Sequence, residues 1–298
     1  MSPEPVSGAD LVPAPETWTP SAHELQRREA RRQQTRRSIA VAAISSIVVI
    51  GGLAALVLRS SGWPVVQETF FDPTIGRKVL PLIWDGFKLD LLLVVVASCF
   101  IAILSMTIAL VRTSSAPALA PFRILATVYV DVFRGTPLIL VIYLIGFGIP
   151  ALNLAVVSSA DVAVYGTAAI VVTYSAYVAE VIRSGILSVH PSQRAAARSL
   201  GLSPAKTMRH VVLPQGLRRV VPPLLNDFVS LLKDVALVSI LGVVEGVRVA
   251  QVQADKIFNY TPYVVVSILF LIVTIPLTRF TDRVLIRSIS RQNAGGTA

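Results

Sequence analysis

Residues 194–219 read RAAARSLGLSPAKTMRHVVLPQGLRR. The run QRAAARSL (193–200) consists of good helix formers and stops at Gly201, a residue type that ends helices. Ser203 stands where a cap belongs and Pro204 at the first helical position after it. Upstream, Pro191 and Ser192 give the same start signal. The stretch therefore predicts two short helices hinged at Gly201, the second carrying Lys206, Met208, Arg209 and His210 and running to Pro214. It is strongly basic, with no acidic residue between Glu180 and Asp227. Ala195, Ala196 and Ala197 add almost no bulk, so this surface can approach another backbone or enter a narrow groove.

Everything around the hairpin is greasy. The chain has 298 residues, 54% of them hydrophobic and 15% charged, where soluble domains carry about 25% charged residues. Mean hydropathy is +0.69. The apolar residues gather in continuous runs near the roughly 20 residues that a helix needs to cross a bilayer. Continuous rather than alternating runs argue against a β-barrel. The expected fold class is all-α: a polytopic membrane bundle of about six spans, at Ser38–Leu58, Phe87–Val111, Ile124–Gly148, Val162–Ile182, Pro222–Val244 and Pro262–Thr278.

Between the spans, residues 1–37 form a polar tail, proline-rich at first and expected to be disordered there. HELQRREARRQQTRR (23–37) follows, with Arg27, Arg28, Arg31, Arg32, Arg36 and Arg37. Arg36-Arg37 before an apolar run resembles a twin-arginine signal, but the run is too long and no A-x-A site follows, so residues 38–58 read as a retained span. Residues 59–86 read as an extracytoplasmic connecting segment, with Trp63, Phe70, Phe71 and Trp84 suited to a membrane–water interface. The loop 149–161 and the segment around Glu245 and Asp255 read as outer, and 183–221 as cytoplasmic. The distribution of Lys and Arg, including Arg279, Arg283, Arg287 and Arg291 near the end, places both termini in the cytoplasm.

The net charge of +10 follows from that positive-inside bias rather than from nucleic acid. The basic tail fits topology and anionic lipid. The AAARSLGLS pattern has a superficial likeness to a DNA-binding helix-turn-helix, but too little soluble chain surrounds it to build a packed domain. No nucleic-acid partner is expected. Cys99 lies in an apolar run, and His23, His190 and His210 lack zinc-ligand spacing, so no metal is expected.

Charges inside spans are costly and mark either a path or a partner. Asp131 and Arg134 lie three apart and can pair. Thr136 and Pro137 follow, and Pro137 should kink or open the helix there. This reads equally as a structural ion pair at a kink and as a solute contact. Tyr174, Tyr177 and Glu180 form a stripe facing other helices, with Glu180–Arg183 an orientation pair at its cytoplasmic end. Asn226 shares a face with Lys233, and Asp227 with Asp234. Lys233 and Asp234 either neutralise each other or contacts across helices, or line a pathway. Both signs of charge in a low-dielectric place would suit a zwitterionic solute.

Four segments resemble the permease subunits of ATP-binding-cassette importers of the polar amino-acid uptake branch: YVDVFRGTPL (129–138), AYVAEVIRSGILSV (176–189), RSLGLSPAKTMRHVVLPQGLRR (198–219) and PPLLNDFVSLLKDVALVSILGV (222–243). They occur in family order and spacing between about Phe87 and Arg287, within a permease domain drawn at 87–287 with a tail at 288–298. The resemblance implies that the hairpin is a coupling loop gripped by an ATPase, with Pro191, Ser192, Ala195, Ala196, Ala197, Arg198, Gly201, Ser203, Lys206, Arg209, Leu213 and Pro214 forming it. It implies a cytoplasmic ATPase dimer that binds ATP and Mg, an extracellular or periplasmic solute-binding protein, and a second permease subunit, identical or similar. Asp131, Arg134, Thr136, Tyr177, Asn226, Lys233 and Asp234 are the candidate translocation path. The family's motif glutamate falls on Ala195, and the first span looks like an addition to a five-span core. No GxxxxGKS or GxxxxGKT sequence is present, so this chain is not itself the ATPase. A permease for another small solute, such as an opine or a sulfonate, and an integral-membrane enzyme are the alternatives; no metal cluster or nucleophile–base pair supports the enzyme.

Overall fold

The computed structural model describes the backbone of residues 21–153 and 159–295, and the side chains of all of these except 28–30, 32, 33 and 287–295. The expected disorder of the proline-rich first 20 residues, and the side chains of Arg28, Arg32, Arg287 and Arg291, lie outside what it describes. The chain divides into two units, residues 1–64 and 65–298. In the first unit lies α1 (Ala22–Leu58), capped by Ser21, whose hydroxyl accepts the Glu24 N–H at 3.3 Å. The arginine-rich segment and the apolar run are thus one unbroken helix.

At the boundary begins α2 (Trp63–Phe70), and α3 (Pro73–Thr113) follows. Asp72 starts α3 by accepting the N–H groups of Thr74 and Ile75 at 2.7 and 3.1 Å, with Pro73 next to it. The connecting segment expected at 59–86 is therefore mostly helical. Pro73 sits in a first turn, where no N–H is needed, and Pro81 is carried inside α3.

The RGTP sequence does break its span. α4 (Ala120–Gly135) and α5 (Leu138–Ala151) meet at 109° around Thr136 and Pro137. Next comes α6 (Val162–Ser188), capped by Asp161. The hairpin contains α7 (Pro191–Ser199) and the single turn α8 (Pro204–Thr207). A π turn at Met208–Val212 then leads directly into α9 (Leu213–Asp234). The second hairpin helix accordingly does not end at Pro214: the Leu213 N–H bonds to the Met208 carbonyl five residues back. That register shift lets proline enter a first turn with no bond lost. Nor does Pro222 begin a span. It lies inside α9, and the segment expected to run straight to Val244 changes at Asp234 into a 3-10 stretch, Val235–Leu241, ended by left-handed Gly242.

The stretch 245–261 is not a plain outer loop. It holds α10 (Gly246–Ile257), capped by Glu245, before α11 (Thr261–Gly295). Among the described residues, four helices are long and apolar enough to cross a bilayer, in α1, α3, α6 and α11, and the bent α4–α5 pair makes a fifth if counted as one span.

The core of the second unit joins α3, α6 and α9. Val94, Ala97 and Ile101 of α3 are buried against Ile170, Tyr174 and Val178 of α6 and Leu231, Leu232 and Val235 beyond. Outward residues of α3 such as Leu92, Val95 and Ile103 remain exposed, as a lipid-facing surface requires.

Candidate functional site

The hairpin is built by local caps. Pro191 occupies the first turn of α7, and the cap before it is His190, whose Nδ1 accepts the Ser192 N–H at 3.2 Å. Sequence reasoning credited Ser192 with part of this start and overlooked His190. Gly201 takes φ +81°, the Gly201 N–H reaches the Arg198 carbonyl at 2.9 Å, and the Leu202 N–H reaches that of Ala197 at 3.2 Å. This closes α7 in a left-handed glycine cap. Ser203 accepts the Lys206 N–H at 3.4 Å, as its position predicted.

Ala195, Ala196, Arg198, Ser203, Lys206 and Arg209 are exposed, while Ala197 is buried. Leu200, not singled out from the sequence, is 84% exposed beside the hinge. The free face thus combines small residues, one apolar knob and cations.

Behind this face the hairpin is tied down. Arg194 of α7 donates to the Ile186 carbonyl at 2.7 Å, and Arg219 of α9 donates to the carbonyl and hydroxyl of Ser188. These carbonyls belong to the last turn of α6, where backbone donors run short: the Val189 N–H reaches the Ile186 carbonyl at 3.4 Å, and the two arginines supply the rest. Glu180 forms ion pairs with both Arg183 and Arg112, the latter at 2.6 Å from α3. The expected Glu180–Arg183 pair therefore exists and reaches a third helix.

The intramembrane charges are arranged differently from expectation. Asp131 and Arg134 do not form an ion pair: among the described residues the ion pairs are Lys88–Asp85, Arg112–Glu180 and Arg183–Glu180. The Tyr177 hydroxyl donates to the Arg134 carbonyl at 3.1 Å, and the Arg134 guanidinium lies 5.8 Å from the centre of the Tyr177 ring. The ring supplies the negative face that Asp131 was expected to provide. Thr136 donates to the Val132 carbonyl at 2.8 Å, satisfying one acceptor at the break. Lys233 and Asp234 do not pair either. Consecutive helical residues point about 100° apart, so Lys233 is exposed while Asp234 turns inward and accepts the Tyr174 hydroxyl at 2.6 Å. Asn226 is exposed on the Lys233 side of α9.

Asp227, which sequence reasoning placed beside Asp234 but left out of the path, lines a cavity of about 260 Å³ between α3, α6 and α9. Ser98, Ser105 and Tyr174 face the same space among apolar neighbours. The Asp227 Oδ2 is buried and lacks a hydrogen-bond partner within the chain. An unpartnered carboxylate oxygen beside a hydroxyl-lined hollow is suited to receive a small cationic group.

A helical bundle with a sharply bent helix pair, an internal hollow carrying a few polar groups and a basic hinged hairpin suits a membrane transport subunit. Residues 114–290 match the family described as "Binding-protein-dependent transport system inner membrane component", and the chain belongs to that family of transport subunits. It is 37% identical over 199 residues to the probable glutamine ABC transporter permease protein GlnM of Bacillus subtilis, covering 65% of this chain and 87% of that one. It is 31% identical to the arginine transport system permease protein ArtQ of the same organism, covering 70% and 92%. A crystal structure of an amino acid ABC transporter with histidines superposes with a TM-score of 0.62 at 32% identity, over 70% of this chain and 95% of that one. The inward-facing MetNI methionine ABC transporter shares the fold, with a TM-score of 0.52 at 19% identity.

Proposed function

We propose that this chain is the membrane-spanning subunit of an importer that carries a polar amino acid into the cytoplasm by alternating access, driven by two ATPase subunits docked on the hairpin. The observation that carries this reading is the hairpin itself: an exposed, basic, glycine-hinged face backed by Arg194 and Arg219, which hold it to α6. Hydrolysis of ATP, with its Mg, belongs to the partner. Motion of the ATPases reaches α6 and α9 through the hairpin, and these two helices carry Tyr174, Asp234 and Asp227.

The solute reading rests on Asp227. A buried oxygen without a partner is costly, and an amino acid's ammonium group would satisfy it. Relatives named for glutamine and arginine transport agree with a solute bearing that group. A second permease subunit follows from the exposure of Asp131, Asn226 and Lys233. Polar groups at membrane depth need protein or a watery cavity rather than lipid. A facing subunit supplies both, and places these residues on a shared path. An extracytoplasmic binding protein delivers the solute, and the arginine clusters hold both termini in the cytoplasm. Here α1 is an addition to a five-span core, the fifth span being α9 together with the 3-10 stretch after it, beside α3, the α4–α5 pair, α6 and α11.

The test is to express the chain with its ATPase and binding protein, purify by a tag on this chain, and reconstitute. The ATPase should copurify, and binding protein loaded with a polar amino acid should stimulate ATP hydrolysis. Failure of the ATPase to copurify would refute the reading, and stimulation only by an opine- or sulfonate-loaded binding protein would replace the amino acid as solute.

A further inference from the structure

At the end of the molecule opposite the hairpin, one residue is held in a conformation its side chain disfavours. Phe258, which follows α10, has φ +50° and ψ +43° and is 90% exposed. A bulky residue in the left-handed region is an outlier that local structure must enforce. Asparagine adopts that region far more easily, yet Asn259 stands one position later.

The enforcement is visible. The Asn259 N–H bonds to the Ala254 carbonyl at 3.3 Å, and its side-chain amide donates to the Glu68 carbonyl at 2.8 Å. Its side-chain oxygen accepts the Thr261 N–H at 2.9 Å. The Tyr260 N–H reaches the Thr69 carbonyl at 2.8 Å, and the Thr261 hydroxyl oxygen accepts the Asp72 N–H at 3.1 Å. The Tyr260 and Phe70 rings pack with centres 5.0 Å apart. The turn is therefore pinned on both sides of Phe258, while the phenyl ring makes almost no contact within the chain. Rigid backbone, strained φ and a projecting ring together describe a knob held out for something else.

We propose that Phe258 is an anchor by which the extracytoplasmic solute-binding protein docks on this permease, its ring entering a pocket on that protein. This rests on the importer reading above, which puts the start of α11 on the outer side, and on membership of a family described as binding-protein-dependent. Lipid fits the turn less well. Asp255 and Lys256 are exposed within three residues of the ring, and two charges there keep the turn in water. Ile257 and Tyr260 are exposed beside the ring as well, and an aromatic and apolar centre rimmed by charges matches the make-up of a protein–protein interface.

The experiment uses the whole complex in nanodiscs, with the binding protein that stimulates ATP hydrolysis by the wild type. Phe258→Ala and Phe258→Gly are compared with it. Glycine relieves the backbone strain, so loss of docking in that variant is not loss of fold. The binding-protein concentration for half-maximal stimulation should rise at least about tenfold in both variants, with maximal stimulated and basal hydrolysis unchanged. A photo-reactive phenylalanine analogue at 258 should crosslink to the binding protein. An unchanged half-maximal concentration overturns the docking role alone, as does a crosslink only to lipid or to the second permease. If no binding protein stimulates the wild type, the importer reading fails and the anchor with it.

Discussion

Gly185 of α6 and Gly216 of α9 meet backbone to backbone. A Cβ on Gly216 would lie 2.9 Å from the Gly185 carbonyl oxygen, and a Cβ on Gly185 would lie 2.7 Å from that of Gly216. Neither contact is tolerable, and backbone cannot rotate aside as a side chain can. The two strands of chain entering and leaving the hairpin are thus in direct contact, with Arg219 bonded to Ser188 one turn away. Gly216→Val should force the helices apart, at a cost of about 1–3 kcal/mol or more. The thermal midpoint of the purified protein should fall by several degrees, and ATP hydrolysis should lose its dependence on binding protein. A Gly216→Val protein with wild-type midpoint and coupling would show that the contact is dispensable.

Gly201 makes the opposite case. A Cβ there would meet nothing within 4 Å, so its only internal demand is φ +81°. Gly201→Ala should therefore cost about 1 kcal/mol in the chain alone. Gly201→Trp should cost little more in the isolated chain, yet prevent copurification of the ATPase if the partner docks on the hairpin as proposed. Leu200→Asp should do the same at the neighbouring knob. Equal ATPase recovery from wild type, Gly201→Trp and Leu200→Asp would remove the hairpin tip from the docking face.

What the sequence revealed and what it hid divide along physical lines. Caps and hinges are local, so Gly201, Ser203, Pro204 and the break at Pro137 were legible from neighbours alone. Prolines in long helices misled, because Pro81, in the segment read as a connector, and Pro222, read as the start of a span, are both absorbed inside helices. Partner choice between helices was the least legible. Asp131 and Arg134 lie three apart and do not pair, whereas Arg112 and Glu180, 68 residues apart, do. Asp227 was visible as a polar residue on α9, but that it lines a cavity depends on how α3 and α6 lean against it. Asp90 and Glu245 carried no sequence signal of their proximity, being 155 positions apart.

Asp227→Asn keeps the shape of the cavity and removes its charge. If the orphan oxygen receives the solute's ammonium, uptake should fall by about tenfold or more, since a charge-assisted hydrogen bond is worth roughly 1.5–3 kcal/mol. The ATPase should still copurify, and basal hydrolysis should be unaffected. Uptake with wild-type half-saturation and rate would exclude Asp227 from the solute site.

Glu180 holds two arginines at once, and its own side chain is 21% exposed against 12% for Arg112. Glu180→Gln would leave Arg112 largely buried without a counter-charge. Breaking such a pair from one side costs up to about 3 kcal/mol where burial is incomplete. Arg112→Met, which also removes the stranded cation from the α3 side, should recover part of that loss in the double variant. If the thermal midpoint of Glu180→Gln matches wild type, the cluster adds nothing to stability.

Asp90 of α3 and Glu245 before α10 bring two carboxyls together in the interior, 1% and 0% exposed. One Asp90 oxygen accepts the Gly246 N–H at 3.1 Å, while the other has no donor of its own. Burial pushes the Glu245 carboxyl above its ordinary value of 4.5, although the N–H groups of Val247 and Arg248 pull it down. The charged groups nearest the pair in sequence do not reverse this: Arg248 turns its guanidinium to Gln251, and Lys88 is bound to Asp85. A raised carboxyl keeps a proton that the unfolded chain releases. Its contribution to stability is therefore full below pH 4.5 and is lost as pH rises through the folded value, at no more than about 1.4 kcal/mol per pH unit for one proton. The thermal midpoint should fall as pH is raised from 5 toward that value. Asp90→Asn removes one of the two acids, can still accept from Gly246, and can donate from its amide to an ionised Glu245. The slope of midpoint against pH should flatten in that variant, with the largest gain over wild type at the alkaline end. Parallel curves for wild type and Asp90→Asn would mean that the proton is held elsewhere.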